Sequence, residues 1–182
     1  FGNNGAYIGS PLKVGRGNML VELGGDVIAN GFLYARQGVQ FSNLNSDPAA
    51  LDYYGEGAWV PALRFGGNGV GVTYSLQSGR YVRIGALVVA RGQLTLSAKG
   101  TSTGVATIIG LPFSAATLWG LAHFGYAAGM TGIIGAPQGI VTAPGTTFRV
   151  TGGSAASTID LNDTNFANNT NVVFQAIYET QG

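Results

Sequence analysis

The sequence predicts an all-β protein whose C-terminal region is an antiparallel β-sandwich or barrel, jelly-roll-like. Three observations carry this. Apolar and polar residues alternate with period two in run after run between Val60 and Tyr178, the pattern of a half-buried strand. Glycine and proline turns separate these runs, as in the Gly110-Leu111-Pro112 stop. No stretch shows a convincing amphipathic helical period.

In chain order, residues 1–45 read as very short strand-like pieces, such as Met19-Leu20-Val21-Glu22-Leu23 and Val39-Gln40-Phe41, separated by Gly or Gly-Asn pairs. Asn30-Gly31 has the chemistry of a tight hairpin turn. Strands this short do not bury a core within one chain. Residues 1–50 are therefore expected to form a β-stem intertwined with other chains, ending in the polar linker Ser42 to Ala50. An irregular arm lying on the following domain is the simpler alternative. The aromatic stretch Leu51 to Pro61 marks the junction with a globular head at 51–182. Asp52, Tyr54, Glu56 and Trp59 are its structural residues. Trp59 is expected to be buried, with its N–H on a backbone carbonyl.

Beyond Val60, Leu63-Arg64-Phe65 leads into the loop Gly66 to Gly71, read as a hairpin loop. Strands are expected at Val70 to Leu76, then, after Gly79, at Arg80 to Ile84, and at Ala86 to Leu96. Further strands follow at Val105 to Ile109, Trp119 to Tyr126, Gly139 to Ala143, Thr146 to Val150 and Val172 to Tyr178. Asn162 to Asn169 is a short polar turn.

Composition narrows the function. Hydrophobic residues are 46% of 182, enough for a core, while charged residues are only 9%. Soluble domains carry roughly 25%, so much of this surface is expected to be covered by other chains or wetted by Ser, Thr, Asn and Gly. The net charge is +1 and the basic residues are scattered, which disfavours nucleic acid. There is no cysteine, hence no disulfide framework and no thiolate chemistry. No apolar run reaches the ~20 residues of a membrane helix. Phe1 is not a start methionine, so the chain reads as a piece of a longer protein.

Several stretches then occur in a telling order: Gly38-Val39-Gln40-Phe41, the Leu51 to Pro61 motif, Thr73 to Tyr81, Lys99 to Gly104, Gly110 to Phe113, and Asn162 to Thr180 with its closing Tyr178. This series resembles the C-terminal head module of phage and prophage tail fibre and tailspike proteins, over roughly residues 38–182. Tyr53, Gly55 and Ala58 stand where that pattern more often has Asp, Glu and Thr. The resemblance implies a homotrimer at the distal end of a virion tail that contacts the host surface.

Candidate chemistry is sparse. A glycosidase needs two carboxyls flanking a sugar, and Asp52 with Glu56 or Asp160 with Asp163 are the pairs to test. The simpler reading has the first pair binding backbone amides or Arg64 or Arg80, and the second capping a turn. His123 is the sole histidine. Three copies on a symmetry axis would be needed for a histidine metal site, and no G-x-S-x-G elbow exists for a triad. The chain is thus expected to be non-catalytic and free of cofactor and metal. It is expected to bind cell-surface polysaccharide or lipopolysaccharide through Trp119, Tyr126, Arg149, Asn168 and Asn169. Burial of Trp119 and Tyr126 in a core or subunit contact is the competing reading. The alternatives of another class are a tailspike depolymerase, glycosidase or lyase, and a purely structural trimerisation module.

Overall fold

A computed structural model describes residues 53–116, 120–155 and 157–180. The expected stem at 1–50, Asp52 and Trp119 lie outside the described residues. The elements are β1 (Tyr54–Trp59), β2 (Ala62–Phe65), β3 (Thr73–Ile84), β4 (Leu87–Ala98), β5 (Ala106–Ile109), β6 (Gly120–Met130), β7 (Ile134–Val141), β8 (Thr147–Gly153), β9 (Thr158–Asp160), a 3-10 turn (Asp163–Asn165) and β10 (Phe166–Glu179). Among the described residues no helix is long and apolar enough to cross a membrane.

β4 and the second half of β10 obey the alternation that predicted them. On β10 the side chains of Thr170, Val172, Phe174, Ala176 and Tyr178 are buried while Val173, Ile177 and Glu179 face outward. On β4, Val88, Ala90, Leu94 and Leu96 point in and Leu87 and Arg91 point out. All pairings are antiparallel, in the order β1-β3-β4-β10-β6-β7-β8-β5-β2, with β9 also on β8. This path begins with β1 and ends with β2, yet only Val60 and Pro61 separate those strands. So short a link spans only about 10 Å, so the two ends of the sheet must curl toward each other. Side chains from β3 fasten the curl: Gln77 Nε2 donates to the Pro61 carbonyl at 2.8 Å, and the Leu63 amide donates to Tyr74 Oη at 2.8 Å. The result is one curled half-barrel sheet, all-β as expected. The hydrogen bonding does not divide it into the two bounded sheets of a sandwich.

The core fills the concave side. Phe174 meets the rings of Trp59, Phe124 and Phe148 at centroid distances of 6.2, 5.5 and 5.4 Å. Phe65 packs edge-on against Phe166 at 5.3 Å. Glycines make room for the large rings. A Cβ on Gly79 would lie 2.5 Å from Trp59 Nε1, and one on Gly92 2.5 Å from Phe174 Cζ. Gly79 and Gly92 are directly paired, so the two rings lie against neighbouring positions of the sheet that carry no side chain.

Three expectations are corrected. Gly79 does not separate a pair of strands: β3 runs through it, because there the missing side chain serves packing rather than a turn. The Gly66 to Gly71 loop is not a hairpin loop. It turns tightly, with Phe65 and Asn68 exchanging backbone bonds of 2.8 and 3.1 Å, but β2 then pairs with β5 and β3 with β1 and β4. The polar turn is shorter than expected, with Asn162 as its N-cap and Asn165 completing a reciprocal capping box.

Candidate functional site

The convex face of the sheet carries the exposed chemistry, and the ladder orders it in rows. In direct register, Val82 (β3) pairs Val89 (β4), Val89 pairs Ile177 (β10), Ile177 pairs Leu121 (β6), and Leu121 pairs Ile140 (β7). This aliphatic row is substantially exposed: Leu121 is 71% and Ile177 44% accessible. Ile84 and Leu87, also outward and directly paired, extend it. A shallow groove of about 510 Å³ runs along it, lined by Leu87, Leu121, Ile177, His123, Gln175 and Glu179 among others.

The next row is polar. Arg80 pairs Arg91, Arg91 pairs Gln175, Gln175 pairs His123, and His123 pairs Gln138. Beyond it lies Ser78–Gln93–Val173–Tyr126. Tyr126 reaches this face through a bulge. Phe124 and Phe174 are paired and inward, and the register shifts between Phe174 and Val173, leaving Gly125 as the extra residue. Without it Tyr126 would continue the inward set of Gly120, Ala122 and Phe124. The bulge turns it outward, 53% exposed.

The predicted binding residues that the structure describes are not brought together. Tyr126 is exposed on β6. Arg149 lies on β8, with β7 between those strands, and its Nη1 holds Asp160 at 3.0 and 2.7 Å. Asn168 and Asn169 occupy the irregular start of β10. There Asn168 Oδ1 accepts from the Lys99 amide at 3.0 Å, and Asn169 lies against Gly129. Asn168 thus ties β10 to the end of β4, a turn-stabilising bond.

The junction residues also divide. Trp59 is buried, 6% exposed, and its Nε1 donates to the Arg91 carbonyl at 3.0 Å, as expected. It is a core residue of the sheet. Tyr54 is 63% exposed on the convex face and donates to Glu56 at 3.4 Å. Glu56 forms no ion pair with Arg64 or Arg80. Tyr53 stacks on the Arg83 guanidinium, 4.1 Å from carbon to ring centroid, and Phe113 lies against the same group at 4.9 Å.

The second acid pair is committed elsewhere. Asp160 is on Arg149, and Asp163 takes the Gly104 amide at 2.9 Å and Lys99 at 3.7 Å. Burial pushes the Tyr178 phenol up to about 12, against smaller downward pulls from the Phe113 amide it accepts and the Arg83 charge. Burial likewise raises Tyr74. Both are structural phenols.

Sequence reasoning missed Arg80, Arg91, Gln93 and Gln175. A signal existed: a hairpin turning at Gly85-Ala86 pairs positions equally distant from the turn, which sets Arg80 against Arg91.

No family model matches the chain, and no curated protein matches it. The fold is similar to a portion of a solved structure, the crystal structure of Dettilon tailspike protein (gp208), with a TM-score of 0.61 at 14% identity. The match covers 69% of this chain and 24% of that one. The likeness is one of fold.

Proposed function

We propose that this chain is an attachment domain of a phage tail fibre or tailspike. In this reading it assembles as a homotrimer at the distal end of the virion tail. It binds host cell-surface polysaccharide or lipopolysaccharide without catalysis. The convex face carries the reading: an exposed aliphatic row beside a polar row, on a chain with 9% charged residues. Exposed apolar rows of this extent mark contact surfaces. The aliphatic row suits contact between copies, and the polar row with Tyr126 suits sugar hydroxyls and ring faces. Three weak sites on one trimer would then act by avidity. The fold shared with a portion of a tailspike protein supports the context. The engagement of Asp160 and Asp163 with cations leaves them poorly placed for acid–base work.

Light scattering and a glycan array test the proposal together. Three times the 18.6 kDa chain mass, with retention on host polysaccharide and no released oligosaccharide, is the expected result. A stable monomer at micromolar concentration overturns the trimer. A trimer that binds no glycan leaves the structural-module reading, and released products restore the depolymerase.

A further inference from the structure

Arg80 and Arg91 occupy directly paired positions on neighbouring strands, and both are exposed on the convex face. Like charges set directly opposite each other destabilise a ladder. Nothing in the core requires them, since outward positions accept most residues. Neither has a carboxylate partner among the described residues, whose ion pairs are Lys99–Asp163 and Arg149–Asp160. The opposed pair is thus a local cost to the fold that an external anion would offset.

The surroundings are those of a site. A groove of about 370 Å³ lies over the paired backbones of Gly79 and Gly92, lined by Ser78, Arg80, Arg91, Gln93 and Val173. Two guanidinium forks give planar donor geometry for carboxylate or phosphate oxygens. Ser78 and Gln93 add a hydroxyl and an amide. Two bonds tie the floor to its neighbours: Trp59 Nε1 donates to the Arg91 carbonyl at 3.0 Å, and Gln93 Nε2 lies 3.4 Å from Asn171 Oδ1. Tyr126 stands at the end of the same Ser78–Gln93–Val173 row, with an exposed ring for a sugar face.

We infer that this groove binds an anionic group, a carboxylate or phosphate carried on a surface polysaccharide. The polysaccharide component rests on the attachment reading above; the capture of an anion does not.

Calorimetric titration of the whole 182-residue chain tests it, with hexagalacturonate, inorganic phosphate and neutral maltohexaose as probes. At least one acidic probe is expected to bind, with affinity that falls as salt rises, and maltohexaose to bind more weakly. Which acidic probe binds distinguishes carboxylate from phosphate. The Arg80→Gln/Arg91→Gln variant is expected to lose roughly tenfold or more in affinity, as removal of charge-assisted bonds implies. Its oligomeric mass and melting temperature are expected to stay at or above wild type. Absence of binding by both anions, or equal binding by the variant, overturns the inference. A changed oligomeric mass in the variant also overturns it, because the arginines then face a carboxylate of a second copy. Acidic probes that bind at the arginines while host glycans do not would leave the anion site standing and remove the attachment reading.

Discussion

At the scale of single residues, the side chains that hold the sheet are those that cross it. The Trp59 indole leaves β1, passes the place where Gly79 has no side chain, and bonds the Arg91 carbonyl on β4. Trp59→Ala removes that bond and its contact with Phe174, and should cost about 3–5 kcal/mol, measured by urea unfolding at fixed protein concentration. An unchanged midpoint would remove Trp59 from the core account. Tyr178 sets a pH limit. Its phenol ionises near 10 when exposed but at about 12 in the fold, mainly through burial. Between those values the unfolded chain has lost the proton and the folded chain keeps it. Stability is therefore insensitive to this group below pH 10 and falls as pH rises from 10 to 12, by roughly 1.4 kcal/mol per unit. Tyr74 acts in the same direction. Tyr178→Phe is expected to flatten this slope in pH-dependent melting; an unchanged slope would show that the phenol does not carry it.

Among the elements, alternation made β4 and the second half of β10 legible from sequence, and Gly85 marked the break between β3 and β4. Two glycines misled. Gly79 looks like a strand end because glycine often ends strands, but its neighbour in space is an indole that no local pattern reveals. Gly125 looks like ordinary strand interior, yet it is the bulge residue that sends Tyr126 outward. Strict alternation from Phe124 would have buried Tyr126. Tyr126 is exposed for a reason that only the register shift supplies. Only residue type points to Arg149, Asn168 and Asn169 in the sequence. The bonds of Arg149 and Asn168 show them holding strands and turns.

For the whole molecule, the curl decides which apolar residues are core. Leu121 and Ile177 resemble Leu94 and Ile108 in sequence, yet the first two lie on the convex face and the others inside. The subunit contact proposed for that face predicts the effect of Leu121→Asp combined with Ile177→Asp. The mass by light scattering should fall to that of one chain. Far-ultraviolet circular dichroism should stay the same, since exposed substitutions usually change stability by under about 0.5 kcal/mol. An unchanged mass would move the contact elsewhere.

The sequence by itself determined the all-β class, most strand positions, the buried indole with its N–H on a carbonyl, and the absence of cysteine chemistry. These depend on local period, turn residues and composition, which neighbours along the chain define. Only the tertiary structure decided that β1 and β2 close opposite ends of one curled sheet, that Tyr54 faces solvent, and that Tyr126 shares a face with Arg80 and Arg91. Those facts depend on register between strands distant in sequence. Simple alternation leaves either face free to be the inner one until the partners are paired and the sheet bends.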